Sequence, residues 1–269
     1  MKRTGLLLLI LVFVMSSCGL AQNSDEENLD DLILEYQNLL MSAYETGEEE
    51  TDDAKIEIVP KFWYREKSST DSVSYDVQLS IEGDSALAEI YGRFPGVMNI
   101  YYVNDSLDTV VCEKDFIDTI VRFATFKKDT LKEVHGGWRI DKITGAKIYT
   151  ESPAMMHIDS VWLYKTNIID TVIRDIHSYF AKDDYITLPK GEIIEITIFS
   201  PDTTGFFFIH SLLRRSRFTY TNGVYTGNFR VPLTTGVHRV AFDGMTEETL
   251  LETDSCYSAY GWMLPYKSE

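Results

Sequence analysis

The chain has 269 residues, a formal net charge of −17 and a sequence pI of about 4.7. A surface this acidic repels phosphate backbones and anionic headgroups, which excludes nucleic acid as a partner and a basic patch as the means of membrane attachment. Apolar residues make up 44% of the chain, enough for packed cores, so the charge does not mean disorder throughout.

The first element is a targeting segment. Met1-Lys2-Arg3 is a short positive start, and Leu6 to Met15 is an apolar run without a charge. A bilayer span needs roughly 20 apolar residues, whereas a signal-peptide core needs about 7–15 after a basic start. Small residues and a cysteine follow. Met15-Ser16-Ser17-Cys18 resembles the bacterial lipobox, with Met15 where the family usually has Leu. The resemblance implies cleavage before Cys18, a diacylglyceryl group on its thiol and acylation of its amine. The alternative is an ordinary signal peptide cut near Ala21, with Cys18 lost. Cleavage at either place removes Lys2 and Arg3 and takes the formal charge from −17 to −19. Two or three acyl chains would anchor the protein stably, where one alone binds marginally. Gly19 stands where an Asp would favour inner-membrane retention. The expected location is therefore the bacterial cell envelope, at the outer membrane rather than the inner where there are two. The expected organisation is a signal peptide over 1–17, a lipidated acidic tether over 18–27, an α+β domain over 28–150 and a β-sandwich domain over 154–269.

Leu29, Leu32, Ile33, Tyr36, Leu39, Leu40 and Ala43 recur at helical spacing, and Gly47 ends that pattern. An acidic stretch over 48–53 and an irregular stretch around Pro60 follow. From Ser72 the period becomes two: Val73, Tyr75, Val77, Leu79 and Ile81 alternate with polar residues. Glu82-Gly83-Asp84-Ser85 is a turn, 86–94 the returning strand, and Pro95-Gly96 is expected to break it. Strands are expected over 97–103, over 116–126 and, after Gly136-Gly137, over 138–149. One helix before a run of long strands reads as α+β. This order, with Gly137-Trp138-Arg139-Ile140-Asp141-Lys142-Ile143 closing it, resembles the NTF2-like cone fold over about 27–150. Well-marked second and third helices are missing. The resemblance implies a pocket between helix and concave sheet, lined by Tyr36, Trp63, Tyr91, Tyr101, Phe116, Arg122 and Trp138. Asp118 or Asp141 would serve there as a base only if strand phase turned it inward, and Asp141 falls on the face opposite Trp138.

Glu151-Ser152-Pro153 marks the expected domain boundary. A strand is expected over 158–164. Ile169, Val172, Ile173, Ile176 and Phe180 follow helical spacing, with strand as the alternative because so many are β-branched. From Tyr185 the pattern is all-β, with strands over 192–199, 206–213, 225–231, 237–242 and 257–264. Asn222-Gly223 is the strongest hairpin signal, since it supplies the positive φ values of a type I′ turn. Short strands at regular turn spacing indicate a β-sandwich, which resembles a generic Ig-like module without its Cys…Trp…Cys signature. Tyr257, Tyr260, Trp262 and Tyr266 either close that core or form a surface aromatic cluster for a sugar or partner. Arg214, Arg215 and Arg217 pair internally or with an anionic partner.

Chemistry-bearing motifs are scarce. The five histidines form no metal-binding pair, Cys112 and Cys256 belong to no C-x-x-C, and Asn104, Asp105 and Asp108 lack EF-hand spacing. There is no nucleophile elbow, P-loop or dinucleotide fingerprint. The sequence therefore offers no catalytic residue, metal or cofactor. The leading expectation is a membrane-tethered envelope lipoprotein, held by acyl chains on Cys18. It would act as a non-catalytic binding or assembly module for a protein, glycan or small apolar ligand. The rival is an isomerase, dehydratase or hydrolase-like enzyme using the cone pocket.

Overall fold

The computed structural model describes residues 24–40, 62–69, 71–103, 107–129, 131–150, 156–181, 184–211 and 214–269. Cys18, Ala43, Gly47, the 48–53 stretch, Pro60, Asn104 and Asp105 lie outside them. The helical pattern that starts the body becomes α1 (24–35), and after a turn at Tyr36 comes α2 (Gln37–Leu40). Leu29, Leu32, Ile33 and Leu40 bury together against Ala88, Ile90, Ala124 and Trp138. Residues 24–27, inside the stretch expected to be tether, are helical, and Asp25 is bound to Lys128 at 2.5 Å.

The described residues are mostly strand, 61% against 11% helix, α1 included. This corrects the expected α+β class: the described residues form a mostly-β fold, a curled antiparallel sheet with one helix of seven or more residues, and not a helix-plus-sheet cone. The reason is compositional. β-branched and aromatic side chains at period two dominate from Phe62 onward, and such residues suit a pleated surface better than a helix. The 169–180 stretch shows this directly. Helical spacing is present, yet it folds as β8 (Ile169–Ile173) and β9 (Tyr179–Ala181).

The strands before β8 are β1 (Phe62–Lys67), β2 (Ser74–Glu82), β3 (Ser85–Val103), β4 (Thr109–Lys128), β5 (Trp138–Thr144), β6 (Ala146–Thr150) and β7 (Ser160–Lys165). Those after β9 are β10 (Thr187–Leu188), β11 (Ile193–Phe199), β12 (Phe206–Ser211), β13 (Arg214–Arg217), β14 (Thr219–Thr221), β15 (Val224–Arg230), β16 (Gly236–Met245) and β17 (Ala259–Ser268). A short helix, α3 (Glu247–Leu251), joins the last two. The large sheet runs β1-β3-β4-β6-β17-β16-β12-β13, with β2, β5, β9 and β10 attached along it. A second sheet runs β14-β15-β11-β7-β8. The large sheet draws on both sides of the expected boundary at 151–153, since β6 pairs with β17 from Ala146↔Met263 to Tyr149↔Tyr260.

Pro95-Gly96 does not break its strand. β3 and β4 pair continuously from Ser85↔Lys127 to Val103↔Thr109. β2 covers the other edge of β3 as far as Arg93, and β1 covers it from Gly96. Pro95 falls in the gap between them. Its carbonyl accepts from Ser68 N–H at 3.0 Å, so its hydrogen-free nitrogen faces that same gap and costs no ladder bond. Gly96 is required by close approach, because a Cβ there would stand 2.4 Å from both the Glu66 carbonyl and the Phe116 ring. At the other hairpin the expected turn forms, with φ of 54° at Asn222 and 86° at Gly223.

Strand alternation divides the core in two. On β12, β16 and β17, the side chains of Phe207, Ile209, Val240, Phe242, Tyr260, Trp262, Leu264 and Tyr266 pack on the second sheet. Their alternate neighbours Phe206, Phe208, Met245 and Ala259 face into the curl, where they meet Trp63, Met98, Ile100 and Tyr257.

Candidate functional site

The inward face of the curl carries charge as well as apolar bulk. Trp63 and Arg65 project from β1, Phe116 and Asp118 from β4, Phe208 and His210 from β12, and Asp243 from β16. Each charged residue keeps the period of an apolar neighbour two positions away, so the strands themselves force it inward. Asp118 is 2% exposed and Asp243 is fully buried. Arg65 Nη2 donates to Asp243 Oδ2 at 2.7 Å, and His210 Nε2 meets the same oxygen at 3.2 Å. Asp118 accepts from Thr150 Oγ1 at 3.2 Å and from the Tyr257 hydroxyl at 3.1 Å. The Arg65 guanidinium lies 5.5 Å from the Trp63 ring centre and 5.4 Å from that of Tyr257.

This cluster also closes the curl. β1 and β13 are the two ends of the sheet path. Arg215 of β13 donates from Nη1 to the Trp63 carbonyl at 3.3 Å, and its guanidinium stands 3.6 Å over the Trp63 ring. Trp63 in turn meets Phe208 edge-on at 5.1 Å. The ends therefore meet through side chains, and Arg65 adds a charged tie from β1 to β16.

Burial sets the protonation states. It pushes the Asp118 carboxyl up to about 6, helped by the nearby Asp243 charge and opposed by Arg65, Tyr257 and Thr150. Burial would also raise Asp243, but Arg65, His210 and Arg215 together outweigh it and hold Asp243 below the usual carboxylate range. Burial drives His210 down to about 4, with Arg215 and Arg65 pushing the same way against the Asp243 hydrogen bond. At neutral pH Asp243 is thus ionised and His210 neutral, donating its Nε2 proton. A second buried cation sits nearby: Lys114 binds the carbonyls of Glu248 at 3.3 Å and Glu252 at 2.5 Å, and Ser255 Oγ at 2.7 Å, which fixes α3 to β4. Burial lowers its pKa, only partly offset by Cys112 and the acids nearby.

The seven residues expected to line one pocket are not brought together. Trp63 and Phe116 border the charged cluster, where Phe116 stacks on Tyr257 at 4.7 Å. Tyr36, Arg122 and Trp138 lie at α1 and α2, where Arg122 is buried and donates to the Leu39 carbonyl. Trp138 Nε1 donates to Asp25 at 3.1 Å. Tyr91 and Tyr101 fall on the opposite face of β3, where Tyr91 donates to Glu89 and Tyr101 stacks on Phe62 at 4.4 Å. Of the two candidate bases, Asp118 is turned inward, and Asp141 is a partly exposed partner of Lys127 at 3.1 Å. Of the two alternatives for Tyr257, Tyr260, Trp262 and Tyr266, core or surface cluster, the structure takes the core: all four are buried. Tyr257 faces the curl and the other three face the second sheet. Of the arginine cluster, Arg217 lies over the Phe206 ring at 4.4 Å and Arg215 joins the closure, while the Arg214 side chain lies outside the described residues.

Arg65, His210 and Asp243 were not singled out in the sequence. Asp243 carried a signal: it is the one charge in Val240-Ala241-Phe242-Asp243-Gly244-Met245, a run that otherwise reads as buried strand. Among the described residues no group of three or more His, Cys, Asp and Glu gathers as a metal site. The two carboxylates face guanidinium groups, which already supply the positive charge a cation would bring. Among the described residues, no helix is long and apolar enough to cross a membrane. No protein-family model, curated protein or solved structure matches the chain.

Proposed function

We propose that the protein is a membrane-tethered lipoprotein of a bacterial envelope, acylated at Cys18. In this reading it is a non-catalytic binding or assembly module for an envelope protein, a glycan or a small apolar ligand. The observation that carries the non-catalytic reading is the partnering of the charged cluster. Asp243 is held by Arg65 and His210, and Asp118 by Thr150 and Tyr257, so the buried carboxylates tie strands together deep in the core, as a clamp does. The membrane reading is supported by the order of basic start, apolar run, small residues and Cys18. A surface for a partner is supported by Phe62, Tyr64 and Tyr101, three stacked rings on the outward face of β1 and β3. Phe62 is 36% exposed.

Two measurements test this. Cys18→Ala should abolish acyl labelling and move the protein out of the membrane fraction; a mutant that stays bound, beside a wild type that takes no label, would refute the anchor. Pull-down from detergent-solubilised membranes should recover a partner or glycan, and Phe62→Ala/Tyr101→Ala should weaken the recovery at least about tenfold, the scale of an aromatic interface anchor. Undiminished recovery would remove these rings from the binding surface.

A further inference from the structure

The turn between β4 and β5 carries two of the most exposed large apolar side chains among the described residues, Leu131 at 92% and Val134 at 71%. Single exposed apolar residues are ordinary on a protein surface. These two differ in lying beside α1, whose first described residue, Ser24, comes six positions after Cys18. α1 lies against the turn along its length. Asp25 binds Lys128 at 2.5 Å and Trp138 Nε1 at 3.1 Å, and Glu35 binds His135 at 2.6 Å. The Asn28 side chain fills the space where a Cβ on Gly136 would stand. His135, Gly136 and Gly137 all have positive φ, at 47°, 59° and 90°. For His135 this is a strained conformation, sustained by its surroundings. Asp129 turns back to accept the Leu131 N–H at 3.1 Å, so the turn is closed on itself and its apolar side chains point away.

Chain length then limits where this turn can be. Cys18 and Asp25 are seven residues apart in sequence, a reach of at most about 25 Å when fully extended. We infer that the β4–β5 turn is the membrane-contacting point of the body, with Leu131 and Val134 seated among the headgroups of the bilayer that holds the acyl chains of Cys18. The inference rests on the lipoprotein reading. Apolar side chains at such a surface settle about 5–10 Å into the headgroup and acyl boundary, and the adjacent Lys132 has an apolar stem to lie along that boundary and an ammonium to meet a phosphate. The body would then stand on the membrane in a fixed orientation instead of tumbling on a leash.

The test uses the full acylated chain in phosphatidylethanolamine–phosphatidylglycerol vesicles doped with a diazirine-acyl phospholipid. After illumination and trypsin digestion, lipid adducts should concentrate on peptides 129–132 and 133–139. They should exceed those on 231–239, which carries the 79% exposed Leu233, by about fivefold or more. Leu131→Glu/Val134→Glu should bring the adducts down to the 231–239 level while Cys18 stays acylated and the protein stays in the membrane fraction. Both positions are solvent-facing, so the variant keeps its fold. Adducts no more frequent at the turn than at 231–239, on protein that carries the Cys18 label, would overturn the inference alone. Absence of the Cys18 label would overturn it together with the lipoprotein reading.

Discussion

Asp118 and His210 give the buried cluster two opposed responses to pH. The Asp118 carboxyl is raised from 3.8 to about 6, so the folded protein holds that proton more tightly than the unfolded chain. Its stabilising effect is complete below the unfolded value and is lost as pH rises from about 4 to 6. His210 is lowered from 6.5 to about 4, so the unfolded chain protonates first and stability is lost as pH falls across that window. At about 1.4 kcal/mol per unit, each slope amounts to on the order of 3 kcal/mol. In the wild type the two largely cancel. Asp118→Asn should expose the His210 slope, giving a steeper loss of urea stability from pH 6.5 to 4; curves parallel to the wild type would refute the assignment. Arg65→Met leaves Asp243 buried without its strongest partner and should cost about 3–5 kcal/mol. Arg65→Met/Asp243→Leu should recover part of that loss in the same denaturation assay. The cluster was only partly legible beforehand. The phase of β4 allowed Asp118 to face inward, but nothing local to Arg65 or Asp243 says that they meet, because they are 178 residues apart.

The long β3–β4 hairpin is where local rules and the observed strands part. Pro95-Gly96 reads as a breaker, yet its position between the ends of β1 and β2 removes the cost of a missing N–H. Gly96→Ala should be felt strongly, since the new Cβ would press on the Glu66 backbone and the Phe116 ring. A loss of about 1–3 kcal/mol is expected from such overpacking, with faster hydrogen exchange in β1. Unchanged exchange there would show that β1 does not depend on the close approach. The β2–β3 and β14–β15 hairpins were legible, because alternation and turn residues act within a few positions. The 169–180 stretch was not, because its spacing fits both periods and the choice was made by pairing of β8 with β7 and of β9 with β5.

At the scale of the molecule, the curl is closed by side chains between β1 and β13. Trp63→Ala removes the ring that meets both Phe208 and Arg215, and a truncation of this kind costs about 3–5 kcal/mol. Hydrogen exchange should rise first in β1 and β13, while β7 and β11 in the second sheet stay protected. Uniform acceleration across both sheets would mean that closure and sandwich unfold as one unit.

The sequence alone determined the acidity, the lipobox resemblance at Cys18, the amphipathic start of α1 and the period-two strands with their Asn222-Gly223 turn. All of these are written in neighbouring residues. The tertiary structure decided that the strands before and after 151–153 share one sheet, that Tyr260, Trp262 and Tyr266 face another sheet instead of solvent, and that Arg65, Asp118, His210 and Asp243 form one cluster. Strand alternation says only that two sets of side chains take opposite faces. Which distant strand covers each face is settled by burial and pairing summed over the whole fold.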